Sequence, residues 1–163
     1  TELVVCGTSD TDDQYSSDDK GTTQCDNVRK LDISKVSSSE DDGDNSVENV
    51  LDGDLKTMWS SDGPDQQEVT LFLEEPSFVL GIGVAVYDGD KRQSLFDVLA
   101  MTGHGWQEIV IDGSSNKGLG IESYDMGVDE VEQVKIVFYG YKEFETNKAG
   151  TWNSITEIEL YGC

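Results

Sequence analysis

Apolar residues recur in this chain with a period of two, in runs too short to form helices and separated by polar turns. Glu68–Leu73 places Val69, Leu71 and Leu73 on one face, and Glu132–Tyr139 does the same with Val134, Ile136 and Phe138. Thr156–Tyr161 alternates through Ile158 and Leu160, and Leu31–Val36 alternates near the other end. This spacing makes half-buried strands. Phe78–Tyr87 is a longer β-branched run (Val79, Ile82, Val84, Val86) that reads as a strand buried on both faces. Ser94–Thr102, Gln107–Ile111 and Ile121–Met126 supply further strands, and Val47–Leu51 is long enough for one helical turn. No segment carries a convincing amphipathic helix. About eight short strands with frequent turn signals predict an all-β fold, an antiparallel sandwich or jelly roll. The last strand reaches the end of the sequence, so the sheet is expected to close near both termini.

A length of 163 residues suits one domain. Residues 1–30 read as an acidic, polar N-terminal extension, with a possible short strand at Leu3-Val4-Val5 and a Ser/Thr/Asp-rich stretch from Thr8 to Gln24. The sandwich is expected over 31–163. Asp and Glu number 34 against 11 Lys and Arg, a formal charge of −23. Such a surface excludes the basic stripe of a nucleic-acid binder and opposes docking on anionic lipid. No apolar run is long enough to span a membrane, and no signal-like stretch stands at the start. The three cysteines, Cys6, Cys25 and Cys163, form no C-x-x-C pair, so zinc and thioredoxin-type motifs are absent. Either Cys25–Cys163 or Cys6–Cys25 can pair, and both imply an oxidising, extracellular setting. His104, the single histidine, lies in a turn-like context without a partner.

The densest group of oxygen side chains lies in Asn49–Trp59, where Asp52, Asp54 and Thr57 flank Gly53. A glycine between two aspartates lets both turn toward one point. Carboxylates supplemented by backbone carbonyls suit Ca²⁺ better than Mg²⁺, although the spacing is not that of an EF-hand. Here the sequence resembles the discoidin-like, or coagulation-factor C-type, domains, and within them the family 32 carbohydrate-binding modules. The resemblance rests on Val50-Leu51-Asp52-Gly53-Asp54 followed by Thr57 and Trp59, then Gly81–Tyr87, Phe96-Asp97-Val98, Gly105-Trp106, and the closing Trp152–Gly162. It covers about residues 31–163 in order. It implies an eight-stranded jelly roll and one structural calcium held by Asp52, Asp54, Thr57 and Glu157, with carbonyls from Asn49 and Thr156.

Tyr87–Phe96 is similar to a loop of modules attached to alginate lyases, departing from it at Asp88. The residues of this loop fit that likeness on their own chemistry. Arginine offers a planar fork that binds a carboxylate through two hydrogen bonds. Lys91, Arg92, Lys142 and Lys148 fall in two loops, 88–94 and 140–151. If those loops meet, they make a basic spot on an acidic protein. Tyr87, Tyr141 and Trp152 flank it and can stack on sugar rings, and Asn153 can bond to hydroxyls. The expected function is that of a secreted, non-catalytic carbohydrate-binding module, carried in a larger multidomain protein. It would bring an attached enzyme or surface protein to a uronate-containing polysaccharide such as alginate, without membrane insertion. The alternative is a discoidin-type adhesion domain that binds a protein or glycoprotein. An enzyme is not expected, because His104 and the tyrosines assemble into no catalytic base.

Overall fold

A computed structural model describes residues 25–63 and 65–163. Leu3-Val4-Val5, Cys6 and most of the N-terminal extension lie outside the described residues. The described residues form nine strands and one short 3-10 helix: β1 (Arg29–Lys30), β2 (Ile33–Ser38), the helix (Val47–Leu51), β3 (Trp59–Asp62), β4 (Gln67–Val86), β5 (Arg92–Thr102), β6 (Gly105–Ser114), β7 (Glu122–Glu143), β8 (Ala149–Gly150) and β9 (Trp152–Gly162). All pairings are antiparallel.

Two long strands build both layers of the sandwich. The first half of β4 lies between β2 and the second half of β7, and β5 and β6 extend that layer. The second half of β4 pairs with β9 on one side and with residues 122–128 of β7 on the other. β3 and β1 line the outer edge of β9. The crossing between layers falls at Glu74–Ser77, where Pro76 lacks an amide to donate and the β4–β7 register shifts. The runs 68–73 and 78–87, expected as two strands, are therefore one bent strand, and 121–126 joins 132–139 in the same way. β1, β3 and β8 were not anticipated. β1 and β8 are two residues long, and β3 follows Trp59 with Ser-Ser-Asp, which carries no apolar alternation.

The inward residues of the two layers form one core. Val69, Leu71, Val134, Ile136, Phe138, Phe96 and Val98 face Val79, Ile82, Val84, Ile155, Ile158 and Leu160. Trp59 is fully buried, stands 5.5 Å from the Phe138 ring and donates its indole N–H to the Glu40 carbonyl at 2.9 Å. Of the run Phe78–Tyr87, expected to be buried on both faces, residues 82–86 are so buried, whereas Leu80 and Tyr87 are exposed. Gly83 makes this possible on the outer face, since Ile121 and Tyr161 occupy the space a side chain there would need. Cys25 is bonded to Cys163, which settles the pairing. Cys163 also exchanges backbone hydrogen bonds with Phe78 at 2.8 and 3.0 Å. β9 thus runs from Trp152 at one end of the sandwich to the disulfide at the other.

Candidate carbohydrate and cation sites

β4 ends at Val86, and the chain reverses through Tyr87–Lys91 before β5 begins at Arg92. Asp88 takes a positive φ of 51°. Its carbonyl accepts from the Lys91 and Arg92 amides, both at 2.8 Å. Gly89 packs so closely on the Gly118 carbonyl that a Cβ would come within 2.2 Å of that oxygen. The Tyr87 amide donates to the Ser154 carbonyl at 3.0 Å, and the Phe144 amide donates to the Lys91 carbonyl at 3.0 Å. The 88–94 and 140–151 loops therefore meet, on the Trp152 end of β9.

A shallow cleft of about 10 Å³ opens there, lined by Tyr87, Arg92, Ser94, Tyr141, Trp152 and Ser154. Tyr87 and Trp152 are 38% and 39% exposed, enough to offer a ring face to a ligand. The Arg92 guanidinium lies over the Tyr141 ring, 4.5 Å from its centroid. It has no carboxylate within 4.0 Å among the described residues. A second hollow of about 340 Å³ adjoins it, lined by Asp88, Asp90, Lys91, Glu143 and Glu145 as well as Arg92. The spot expected to be basic is thus two cations within a wall of carboxylates.

Of the eight candidates, Tyr87, Arg92, Tyr141 and Trp152 come together in the cleft. Lys91 belongs to the acidic hollow beside it. Lys148 is exposed on the turn after β7, where its backbone bonds to Glu143 and Thr146. Lys142 pairs in register with Gln93, whereas Arg92 pairs with Glu143 and Ser94 with Tyr141. Alternation therefore puts Lys142 on the opposite face from Arg92 and Tyr141. Asn153 is buried and accepts from the Gly140 amide at 2.8 Å, so it braces β7 against β9 instead of facing the cleft. Ser94 and Ser154 were not anticipated. Ser154 was within reach, because it lies two residues from Trp152 on the same strand face.

The Asp-Gly-Asp loop packs on the outer face of β9 over Glu157. Gly53 has a φ of 73°, and its amide donates to Glu157 Oε2 at 3.1 Å. Asp52 accepts from the Asp54 amide at 2.9 Å and from the Thr57 hydroxyl. Asp54 accepts from the Lys56 amide at 2.9 Å, and its carbonyl accepts from Thr57. Asn49 donates its side-chain amide to the Met58 carbonyl at 2.8 Å, closing the base of the loop. Glu157 is 1% exposed, and its Oε1 is buried without a partner, as is the Thr156 hydroxyl. Burial pushes the Glu157 carboxyl up to about 7, against the pull of the Gly53 amide and Lys30, and Asp52 raises it further. Among the described residues no three His, Cys, Asp or Glu side chains converge on one point. A cation here would take much of its shell from carbonyls and the Thr57 hydroxyl, which is chemistry that calcium accepts. An orphaned, buried carboxylate oxygen beside that loop fits such an ion.

No protein-family profile matches the sequence, and comparison with curated proteins gives no match. Solved structures do match. A truncated AlyQ with CBM32 and alginate lyase domains is 31% identical over 83% of this chain with a TM-score of 0.71, and this chain covers 33% of it. The CBM32 of AlyQ in complex with 4,5-unsaturated mannuronic acid is 32% identical, with a TM-score of 0.70, 81% of this chain matched and 97% of that chain covered. A pectin-binding carbohydrate-binding module shares the fold at 21% identity and a TM-score of 0.69, over 80% of this chain and 91% of its own.

Proposed function

The chain belongs to the family 32 carbohydrate-binding modules, and from that membership we propose that it is a non-catalytic module that holds a uronate-containing polysaccharide, such as alginate. The observation that carries this reading is the free Arg92 guanidinium, stacked on Tyr141 in a cleft flanked by Tyr87 and Trp152. A planar cation beside exposed aromatic rings suits a sugar that carries a carboxylate. The likeness to an AlyQ module bound to an unsaturated mannuronic acid supports the same ligand class. A shallow cleft buries little area, so affinity is modest and gains from tethering within a larger protein. The Cys25–Cys163 bridge supports a secreted location, and no helix of the described residues is long and apolar enough to cross a membrane.

The same reading includes one structural calcium, held by Asp52, Asp54, Thr57 and Glu157 with the carbonyls of Asn49 and Thr156. A divalent cation supplies the positive charge that lets Glu157 stay ionised while buried. Affinity electrophoresis tests the sugar reading, with alginate, polygalacturonate and a neutral galactan at calcium levels below gelling. Retardation by the uronate polymers is expected. Arg92→Ala should weaken it by about tenfold or more, the worth of a charge-assisted hydrogen-bonded pair. Retardation by the galactan alone would remove the uronate assignment.

A further inference from the structure

Carboxylates surround Arg92, yet none holds it. Asp88, Asp90, Glu143 and Glu145 line the hollow beside it, and Glu143 is its register partner across β5 and β7. An arginine in such company ordinarily forms a forked ion pair. Here the guanidinium lies on Tyr141 instead, and Glu143 accepts from the Thr146 hydroxyl at 2.6 Å.

The position of the Tyr141 ring explains this choice. Tyr141 pairs with Gly150 across β7 and β8. A Cβ on Gly150 would lie 2.3 Å from Tyr141 Cζ, 2.4 Å from Cε1 and 2.5 Å from the hydroxyl oxygen, so the ring rests where any side chain at 150 would stand. Gly140 allows β8 to come this close. Its φ is 83°, and a Cβ there would meet the Gly150 carbonyl at 2.3 Å. The Gly140 amide is fixed by buried Asn153 at 2.8 Å. Asn153, Gly140, Gly150, Tyr141 and Arg92 form one mechanical sequence, from the interior to the cleft. Stacking of arginine on tyrosine and an exposed ion pair are of similar strength, so where the ring sits decides the partner.

We propose that Gly150 is a positioning residue for the sugar site: its bare backbone seats the Tyr141 ring, and the ring holds the Arg92 fork off Glu143 and open to a ligand carboxylate. The ligand half of this statement rests on the uronate reading above; the seating of Arg92 does not.

Gly150→Ala separates the two. In the free wild-type protein, the Arg92 side-chain protons should show an upfield ring-current shift in NMR, and Gly150→Ala should abolish it. Titration calorimetry with a short alginate oligomer should show binding weakened about tenfold or more, since a small misplacement of a binding group is costly. Gly150→Ala with Glu143→Gln should recover most of the lost affinity, because the competing carboxylate is gone. A general loss of structure would not be repaired in this way. If Gly150→Ala fails to fold, Tyr141→Leu, which removes the ring and keeps the glycine, should give the same loss of shift and affinity. An unchanged ring-current shift in the folded variant would overturn the proposal, as would wild-type affinity or a failure of Glu143→Gln to restore binding. A ring-current shift that behaves as expected, without wild-type binding to the oligomer, would reject the uronate reading and leave the seating of Arg92 standing.

Discussion

Glu157 is the residue whose surroundings fit it least: a carboxylate at 1% exposure, with one oxygen on the Gly53 amide and the other on nothing. In the metal-free protein its carboxyl titrates at about 7, raised from an ordinary value of 4.5. The folded state therefore favours the protonated form. That contribution is fully present below pH 4.5 and is lost as the pH rises through about 7. In chelator, Glu157→Gln should gain stability relative to wild type as the pH is raised across this window, because the amide never ionises. Adding Ca²⁺ should raise the wild-type melting temperature at pH 8 and leave that of Glu157→Gln unmoved, and scanning calorimetry reads both. Much of this site is visible in the sequence, since aspartates flanking a glycine announce an oxygen cage. Glu157 enters only through the likeness to a known domain, for nothing local links residues over a hundred positions apart; the structure shows its carboxylate accepting from the Gly53 amide of that loop. In the proposed sugar cleft, side-chain chemistry pointed to Arg92, Tyr87, Tyr141 and Trp152, which the fold brings together. Lys142 lies in the 140–151 loop and Asn153 just beyond it, but neither lines the cleft, because the two-residue period turns Lys142 to the opposite face and Asn153 inward to the Gly140 amide. The 88–94 and 140–151 loops also carry Asp88, Asp90, Glu143 and Glu145, which turn the expected basic spot into a mixed one.

At the scale of elements, β9 carries the most: it borders β4, β3 and β1, floors the cation loop and ends in the disulfide. Its last turn of backbone is packed without spare room. A Cβ on Gly162 would lie 1.8 Å from the Phe78 carbonyl oxygen. Gly162→Ala should thus cost about 1–3 kcal/mol in urea unfolding, the usual penalty for overpacking, without altering sugar affinity. Trp59→Ala removes a fully buried indole that joins β3 to the core, and should cost about 3–5 kcal/mol in the same measurement. The period of two reveals the strands with one wet face, and β-branched composition reveals the run from Phe78. Their continuity does not show. A bend that carries one strand from one layer to the other reads as two strands with a polar gap, as at Glu74–Pro76. The pairing of β3 with β9 is equally silent, since Ser60 and Ser154 meet in the interior through a hydroxyl contact of 2.9 Å, with no apolar signal to mark it. Trp106 stands partly exposed on β6 beneath the Lys135 ammonium, 4.3 Å from its ring centroid.

For the whole molecule, a charge of −23 makes the folded state repel itself. The melting temperature should rise with sodium chloride between about 0.05 and 0.5 M, as screening shortens the reach of that repulsion. A flat response would mean that the carboxylates are already paired or neutralised. The Cys25–Cys163 bridge closes a loop spanning 138 residues. Its removal by Cys25→Ser with Cys163→Ser should cost about 2–5 kcal/mol, read as a lower urea midpoint at unchanged slope. This bridge also sets how the module answers to a pull. Tension that arrives through the chain before Cys25 meets a covalent bond to Cys163 before it reaches any strand. A load taken up at the Trp152 end, from a moving polymer, travels down β9 along its length and leaves at that same clip. Because β9 is hydrogen-bonded to β1, β3 and β4, their ladders share that load in shear.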